Sequence, residues 1–137
     1  MTGILIVAHG SFGEALIQCA GHVLGKRPPR VRQLGIAAND DPETILPQAL
    51  ELVRLLDEGA GVLVLTDVCG ATPSNIATRL LAPGRVEGIA GVSLPMLIRA
   101  LTYRGEPLAS VVQKAISGGH EGVVHLGADP CNAPNRG

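Results

Sequence analysis

A histidine and an aspartate each stand at the end of a run of aliphatic residues, and together they could carry out nucleophilic chemistry. His9 ends the run at residues 4–8, and Asp67 comes just after the run at residues 62–65. A carboxylate near a histidine accepts a hydrogen bond from one ring N–H, fixes the tautomer and orients the ring. The other ring nitrogen is then an accessible nucleophile. The pair therefore predicts a histidine that can take up an electrophile such as a phosphoryl group.

The residues around this pair are suited to binding an anion. Ser11 and Glu14 have the spacing of a capping box, so a helix is predicted to begin at Ser11, close to His9. A second helix is predicted after Asp67, and the free N–H groups and positive dipole end of a helix N-terminus favour an anion. Phosphoryl transfer requires mainly positioning and neutralisation of the phosphoryl oxygens. We therefore predict as catalytic residues His9 and Asp67, and as phosphate-binding residues Gly10, Ser11, Gly70, Ala71 and Thr72.

Strands and helices alternate along the chain, which places both polar segments at strand ends. A strand is predicted where apolar residues run together over four to eight positions between turn signals. Buried strands are expected at residues 4–8, 62–65 and 86–92, a weaker strand at 31–36, and a short last strand at 122–126. The Gly118–Gly119 pair is expected to separate this last strand from the preceding helix.

The helices between the strands are predicted from apolar periodicity and from their start signals. Thr72, followed by a proline, is an N-cap signal, so its helix begins at the next residue. Asp41 gives the same signal, although Pro47 would be tolerated better if the regular helix began at Thr44. The helices are expected at residues 11–24, 41–56, 73–81, 93–103 and 108–116.

This alternation implies right-handed crossovers and a flavodoxin-like three-layer α/β sandwich with a four-stranded parallel sheet. In that strand order the first strand and the strand near residue 65 are neighbours, so both loops face one crevice at the carboxyl ends of the strands. One domain is expected at residues 1–128, with no internal repeat, linker or second domain. Residues 129–137, rich in proline and asparagine, are expected to form a disordered tail.

The composition of the 137 residues excludes several classes of partner. The chain is 46% hydrophobic with only one Phe, one Tyr and no Trp, so its core must be aliphatic and it lacks stacking platforms for nucleic acid. A net charge of -1 gives no reason to expect nucleic acid or an anionic membrane as partner. No apolar run is long enough for membrane insertion, and no signal peptide is recognisable. The odd number of widely spaced cysteines (Cys19, Cys69 and Cys131) favours reduced thiols in the cytoplasm over disulfides or a zinc site.

Three stretches of the sequence carry a resemblance to a known family. They are residues 4–11 (ILIVAHGS), 63–75 (LVLTDVCGATPSN) and 90–97 (AGVSLPML). Together they resemble the mannose-family EIIA domain of the bacterial phosphoenolpyruvate-dependent sugar phosphotransferase system. The order and spacing agree, and the likeness extends from the N-terminus to about Leu126.

The resemblance implies a phosphotransferase component that works through a phosphohistidine, without a cofactor or a metal. By that likeness, His9 accepts a phosphoryl group on Nε2 from phospho-HPr and passes it to an EIIB partner. Asp67 would orient the ring through Nδ1–H, and Thr72 matches the family's usual serine beside the phosphohistidine. The resemblance also implies a homodimer in which the last strand crosses to the neighbouring subunit and pairs antiparallel. An unpaired apolar edge strand at residues 122–126 would invite aggregation, which independently favours such pairing.

The sequence departs from the family pattern in the segment around residue 70 and at residue 93. Cys69, Gly70 and Ala71 stand where the family usually has an aromatic residue and two glycines. Ala71 should still donate its backbone N–H if its dihedral angles suit a residue with a Cβ. Ser93 replaces a common asparagine and so removes one amide from the crevice rim. Which sugar is served, and whether the role is transport or regulation, stay open.

Two other functions are alternatives for this sequence. A metal chelatase of tetrapyrrole synthesis also begins with a strand ending in His-Gly-Ser on a similar fold, and its histidine serves as metal ligand or base. Such a site needs a second histidine at a neighbouring strand end, but this chain has none between His22 and His120. The second alternative is a non-catalytic ligand-binding or regulatory module, in which His9 would never be phosphorylated.

Overall fold

The structure, a computed structural model, describes residues 1–127 and consists of alternating strands and helices. Residues 128–137, which include the predicted tail at 129–137, lie outside the described residues. None of the helices in residues 1–127 has the length and apolarity needed to cross a membrane. In chain order the elements are β1 (Gly3–His9), α1 (Phe12–Leu24), β2 (Val31–Ile36), α2 (Pro42–Leu56), β3 (Val62–Thr66), α3 (Thr72–Leu80), β4 (Val86–Ala90), α4 (Leu94–Tyr103) and α5 (Leu108–Glu121).

The four strands form one parallel sheet in the order β2-β1-β3-β4, which confirms the predicted α/β class and the four-stranded parallel sheet. β1 and β3 are neighbours, with Val7 paired to Thr66, so their carboxyl ends lie side by side. β4 was expected to be a buried strand reaching residue 92, but it ends at Ala90 and lies at an edge of the sheet. Gly88 and Ala90 are consequently exposed.

Helices cover both faces of the sheet, because successive side chains of a strand point to opposite faces. Ile4, Ile6 and Ala8 of β1 pack with α1, α4 and α5 in one aliphatic cluster. Leu5 and Val7 pack with α2 and α3 in the other. The result is a three-layer arrangement whose central strands β1 and β3 are buried on both sides.

Of three predicted helix starts, the one at Asp41 is confirmed and two differ in detail from the structure. Asp41 is the N-cap of α2, accepting the Glu43 N–H at 3.0 Å, and the helix includes Pro47. Ser11 is the N-cap residue of α1 but makes no capping bond, because its ψ of 8° is not the extended conformation that a capping side chain needs. The N-cap of α3 is Ala71 rather than Thr72, which is already helical.

The predicted break at Gly118–Gly119 is wrong, since α5 continues to Glu121. These glycines permit close helix packing: a Cβ at Gly118 would lie 2.6 Å from the Arg99 Cβ, and one at Gly119 would lie 2.8 Å from the Met96 Cε. A glycine pair that lets α5 approach α4 looks the same in sequence as one that ends a helix. In the single chain, residues 122–127 form no strand, so the short strand predicted at 122–126 is not present there.

Candidate functional site

The side chains of His9 and Asp67 meet at the carboxyl ends of β1 and β3. The His9 Nδ1 lies 2.7 Å from the Asp67 Oδ2, and the same oxygen accepts the His9 backbone N–H at 3.0 Å. The second carboxylate oxygen, Oδ1, accepts the Val68 N–H at 3.0 Å. The carboxylate therefore holds both the end of β1 and the orientation of the imidazole ring.

The electrostatics of Asp67 keep it ionised. Burial acts to raise the pKa of Asp67, but the hydrogen bonds from the His9 backbone, the His9 ring and the Val68 N–H lower it below its ordinary value overall. An ionised carboxylate can only accept, so the ring must carry its hydrogen on Nδ1. The His9 side chain is 53% exposed and that of Asp67 only 12%, which leaves the Nε2 edge of the ring open to approach.

The two glycines predicted to bind phosphate use their N–H groups within the fold. Gly10 (φ 52°) donates its N–H to the Ile36 carbonyl at 3.0 Å, and Gly70 (φ 91°) donates to the Ser74 Oγ at 2.8 Å. The left-handed φ at both positions explains why glycine is favoured there. Both residues thus shape their loops with donors that point into the protein.

The N–H groups free to meet an anion belong instead to the residues that follow each glycine. Within residues 1–127 no hydrogen bond uses the backbone N–H of Ser11, Ala71 or Thr72, and these lie at the N-termini of α1 and α3. Ala71 has φ -91° and ψ 172°, an extended conformation that accepts a Cβ without strain. Replacement of the family's usual glycine by Ala71 therefore costs no backbone strain, and its N–H is available.

Three residues of the site were missed by the sequence reasoning. Ser74 contacts the loop at residues 67–71 through two hydrogen bonds. Phe12, the first residue of α1, is 41% exposed, and Val68, which directly follows Asp67, is 55% exposed. A serine in the first turn of a helix is a known signal for bonding back to a preceding loop. Exposure of these two apolar side chains could not be predicted from the sequence, because an apolar residue type by itself indicates burial.

The remaining rim of the crevice is formed at β4. Ser93, the residue that stands in place of the family's asparagine, caps α4 by accepting the Met96 N–H at 3.3 Å. Its hydroxyl is thereby engaged in the helix start. Among residues 1–127, no three His, Cys, Asp or Glu side chains are grouped closely enough to hold a metal ion.

The fold and the site define a parallel α/β domain with a carboxylate-oriented histidine at its carboxyl edge. Residues 3–116 match the EIIA-man family, described as "PTS system fructose IIA component". The chain is 33% identical over 130 residues to the mannose-specific EIIAB component of the phosphotransferase system of Escherichia coli (strain K12). It is 29% identical over 105 residues to the fructose-specific EIIA component of Bacillus subtilis (strain 168), covering 76% of this chain and 71% of that protein.

A solved structure agrees with these sequence matches. The phosphotransferase system component EIIA from Streptococcus agalactiae superposes with a TM-score of 0.81 at 28% identity, covering 91% of this chain and 97% of that one. The chain belongs to the EIIA-man family and is a component of the phosphotransferase system. This assignment replaces the chelatase alternative.

The match to the Escherichia coli relative covers 93% of this chain but only 40% of that protein. The chain thus spans about two fifths of the length of that relative, whose name combines an EIIA with an EIIB component. The relatives also differ in the sugar that their names carry, mannose in one and fructose in another.

Proposed function

We propose that the chain is a phosphohistidine carrier that accepts a phosphoryl group on the Nε2 of His9. The observation that carries this proposal is the 2.7 Å contact between the His9 Nδ1 and the Asp67 Oδ2, which directs the Nε2 lone pair outward. The expected donor is phospho-HPr and the expected acceptor is an EIIB protein. The system served is either sugar uptake or a regulatory phosphorelay.

On this chain, the transfer step uses only residues of this site. The Nε2 lone pair attacks phosphorus, an N–P bond forms to His9, and the N–P bond to the donor imidazole breaks as that ring leaves with its electron pair. His9 gains positive charge in this step, and the Asp67 carboxylate stabilises it. The free N–H groups of Ser11, Ala71 and Thr72 are suited to the phosphoryl oxygens, which carry most of the negative charge.

The surroundings of His9 are suited to docking of protein partners rather than to enclosing a small molecule. The ring is half-exposed, and the exposed apolar side chains of Phe12 and Val68 lie in the segments that carry His9 and Asp67. Apolar side chains around a reactive group supply the buried contact that a protein partner needs. Both the donor and the acceptor would use this surface in turn.

The test is incubation with phosphoenolpyruvate, enzyme I and HPr, followed by measurement of the intact mass. We expect one phosphoryl group per chain, stable in base and labile in acid. His9→Ala should abolish the adduct, whereas His22→Ala, which removes an exposed histidine of α1, should retain it. An acid-stable adduct, or one that survives His9→Ala, contradicts the proposal. A chain that is never phosphorylated favours the non-catalytic module.

We also propose that the chain is a homodimer in which residues 122–126 pair antiparallel with β4 of a second copy. β4 is an edge strand, and cavities of about 300 Å³ and 420 Å³ lie beside it, both lined by Ile89 and Ala90. Val123 and Leu126 are 85% and 74% exposed in the single chain. An added strand would satisfy the free edge and bury these side chains.

Two truncations test the dimer. Deletion from Gly122 onward should leave a monomer or an aggregate, because it removes the exchanged segment, whereas deletion from Pro130 onward should change little. Light scattering reports the mass of each form. A well-folded monomer of the full chain at micromolar concentration would rule the exchanged strand out.

A further inference from the structure

Ser74 connects the first turn of α3 to the loop at residues 67–71. Its Oγ accepts the Gly70 N–H at 2.8 Å and donates to the Ala71 carbonyl at 2.9 Å. The residue is only 7% exposed, so water competes little for these bonds. One hydroxyl therefore fixes two peptide groups, the one that precedes Gly70 and the one that follows Ala71.

The loop has few other constraints within the described residues. The Val68 N–H bonds to the Asp67 Oδ1 at one end, and the Asn75 N–H bonds to the Ala71 carbonyl at the other. Between them, Gly70 has φ 91° and no atom within 4 Å of the position that a Cβ would take. Because side-chain packing does not restrain Gly70, its conformation depends on the bond to Ser74.

The geometry of the peptide bond then determines where the free donors point. In a trans peptide the N–H and C=O groups point in opposite directions. The Ala71 carbonyl is directed into α3 by Ser74 and Asn75, so the Thr72 N–H of the same peptide points out of the helix N-terminus. The Gly70 N–H is meanwhile occupied, so it does not compete for an anion.

We propose that Ser74 is a positioning residue for phosphoryl transfer, holding the loop so that the Ala71 and Thr72 N–H groups meet the phosphoryl oxygens. This inference rests on the proposed function of His9, and Ser74 itself does not touch the phosphoryl group. Loss of its hydroxyl would free the Gly70 N–H and loosen the peptide that carries the Thr72 donor. The loss should therefore weaken the stabilisation of the phosphoryl group during transfer, which kcat reports. It should not weaken the docking of the donor protein, which KM reports.

The kinetic test measures kcat and KM for phospho-HPr in the unmodified chain, Ser74→Ala and Ser74→Thr. Ser74→Ala should lower kcat about tenfold, less than the loss of a whole oxyanion donor, and leave KM within about twofold. Ser74→Thr keeps the hydroxyl, and the adjacent cavity of about 300 Å³ has room for its methyl group, so it should restore kcat. Thr78→Val is the matched control, because it removes another α3 hydroxyl that bonds to the backbone, here to the Ser74 carbonyl at 2.9 Å.

A second measurement follows the backbone amide resonances during phosphorylation. In the unmodified chain the Ala71 and Thr72 amides should shift and the Gly70 amide should not, whereas in Ser74→Ala the Gly70 amide should shift as well. A large Gly70 shift in the unmodified chain would overturn the proposal.

The kinetic outcomes separate this inference from the proposed function. Equal kcat in Ser74→Ala and the unmodified chain overturns the role of Ser74 and leaves His9 as the carrier. Equal slowing in Thr78→Val overturns it too, since the effect would then come from a weakened α3. No phosphorylation of the unmodified chain overturns the proposed function and this inference together.

Discussion

At the amino end of the sheet the backbone carbonyls are paired with a buried arginine, whereas at the carboxyl end backbone N–H groups stay free. Arg104, 7% exposed, donates to the carbonyl oxygens of Thr2, Pro29 and Arg30, which directly precede β1 and β2. At the opposite end, the N–H groups of Ser11, Ala71 and Thr72 have no acceptor within residues 1–127. The carbonyls at the amino end are therefore satisfied by the chain itself, whereas the N–H groups at the carboxyl end are left open to water or to an anion.

This difference separates stability from function along a single sheet. The Thr2 carbonyl, which accepts two buried bonds from Arg104, would be costly to leave unpaired. The free N–H groups are exposed to solvent at helix ends, so water can satisfy them until an anion arrives. Substitutions at the amino end are therefore expected to change stability, and substitutions at the carboxyl end to change phosphoryl transfer.

The largest effect is expected at the carboxyl end, for Asp67→Asn. The amide can donate to the Nδ1 of His9 and so favour the tautomer with its hydrogen on Nε2, which blocks the nucleophile. Phosphorylation should slow by roughly two to four orders of magnitude, whereas the fold should be preserved. Rapid-quench measurement of phosphotransfer from phospho-HPr gives the rate.

Asp40→Asn is the matched control for that substitution. Asp40 accepts the Ala37 N–H at 2.7 Å just beyond the carboxyl end of β2, without contacting His9. Asp40→Asn should accept the phosphoryl group at nearly the same rate as the unmodified chain. Unchanged transfer in Asp67→Asn would show that Asp67 does not orient the ring.

The next effect is at the amino end, for Arg104→Met. The substitution leaves the Thr2 and Pro29 carbonyls without their donor, so the free energy of unfolding should fall by about 3 kcal/mol. Arg104→Lys should lose less of the free energy of unfolding, because lysine keeps a charged hydrogen-bond donor. Chemical denaturation followed by circular dichroism provides the measurement.

Arg99→Met, in the helix α4 that directly precedes Arg104, serves as the control, since within residues 1–127 the Arg99 guanidinium pairs only with the exposed Glu121. We expect the free energy of unfolding of Arg99→Met to change by no more than about 0.5 kcal/mol. The phosphorylation end point should be the same in all three arginine variants. If Arg104→Met lost equally little unfolding free energy, the amino end of the sheet would not have the stabilising role that distinguishes it from the carboxyl end.

Much of this contrast could be predicted from the sequence where it depends on local pattern. Unbroken aliphatic runs identified β1 and β3, and their adjacency in a parallel sheet brought His9 and Asp67 together. Asp41 was identified as a cap because its side chain bonds only two residues away. Such short-range features are encoded by a few neighbouring residue types.

Features that depend on distant contacts could not be predicted in this way. Arg104 bonds to carbonyls more than 70 positions earlier in the chain, and no local pattern marks it. Gly118 and Gly119 match a helix break in sequence, although contact with α4 makes them part of α5. The engagement of Gly70 by Ser74 likewise depends on how the loop turns back onto α3.

A smaller effect, on both stability and transfer, is expected for Gly70→Ala. Gly70 has φ 91° with open space around the Cβ position, so the cost is backbone strain of about 1 kcal/mol. Gly25 has the same φ and equally open space at the C-terminus of α1, so Gly25→Ala should lose similar stability. Only Gly70→Ala should also slow phosphotransfer. Equal transfer rates in the two variants would contradict a dependence of the site on the loop conformation.

The smallest expected effect is the dependence of the free energy of unfolding on pH. Each end of the sheet carries one aspartate with a lowered pKa. At the carboxyl end, hydrogen bonds outweigh burial and lower the pKa of Asp67. Near the amino end, the Gly59 N–H is the main cause that lowers the pKa of Asp57, with the Gly61 N–H and Arg85 adding to it. Each carboxyl binds its proton more readily in the unfolded chain than in the folded one.

The sign of the pH effect follows from that difference. Both aspartates contribute stability above their unfolded pKa of about 3.9, and this contribution is lost as the pH falls below it toward the folded pKa. The free energy of unfolding, measured in urea from pH 6 to about pH 2, should therefore decline below about pH 4. Asp67→Asn and Asp57→Asn should each make that decline shallower, but only Asp67→Asn should slow phosphotransfer at neutral pH. An unaltered decline in both variants would show that neither carboxylate is stabilised by folding.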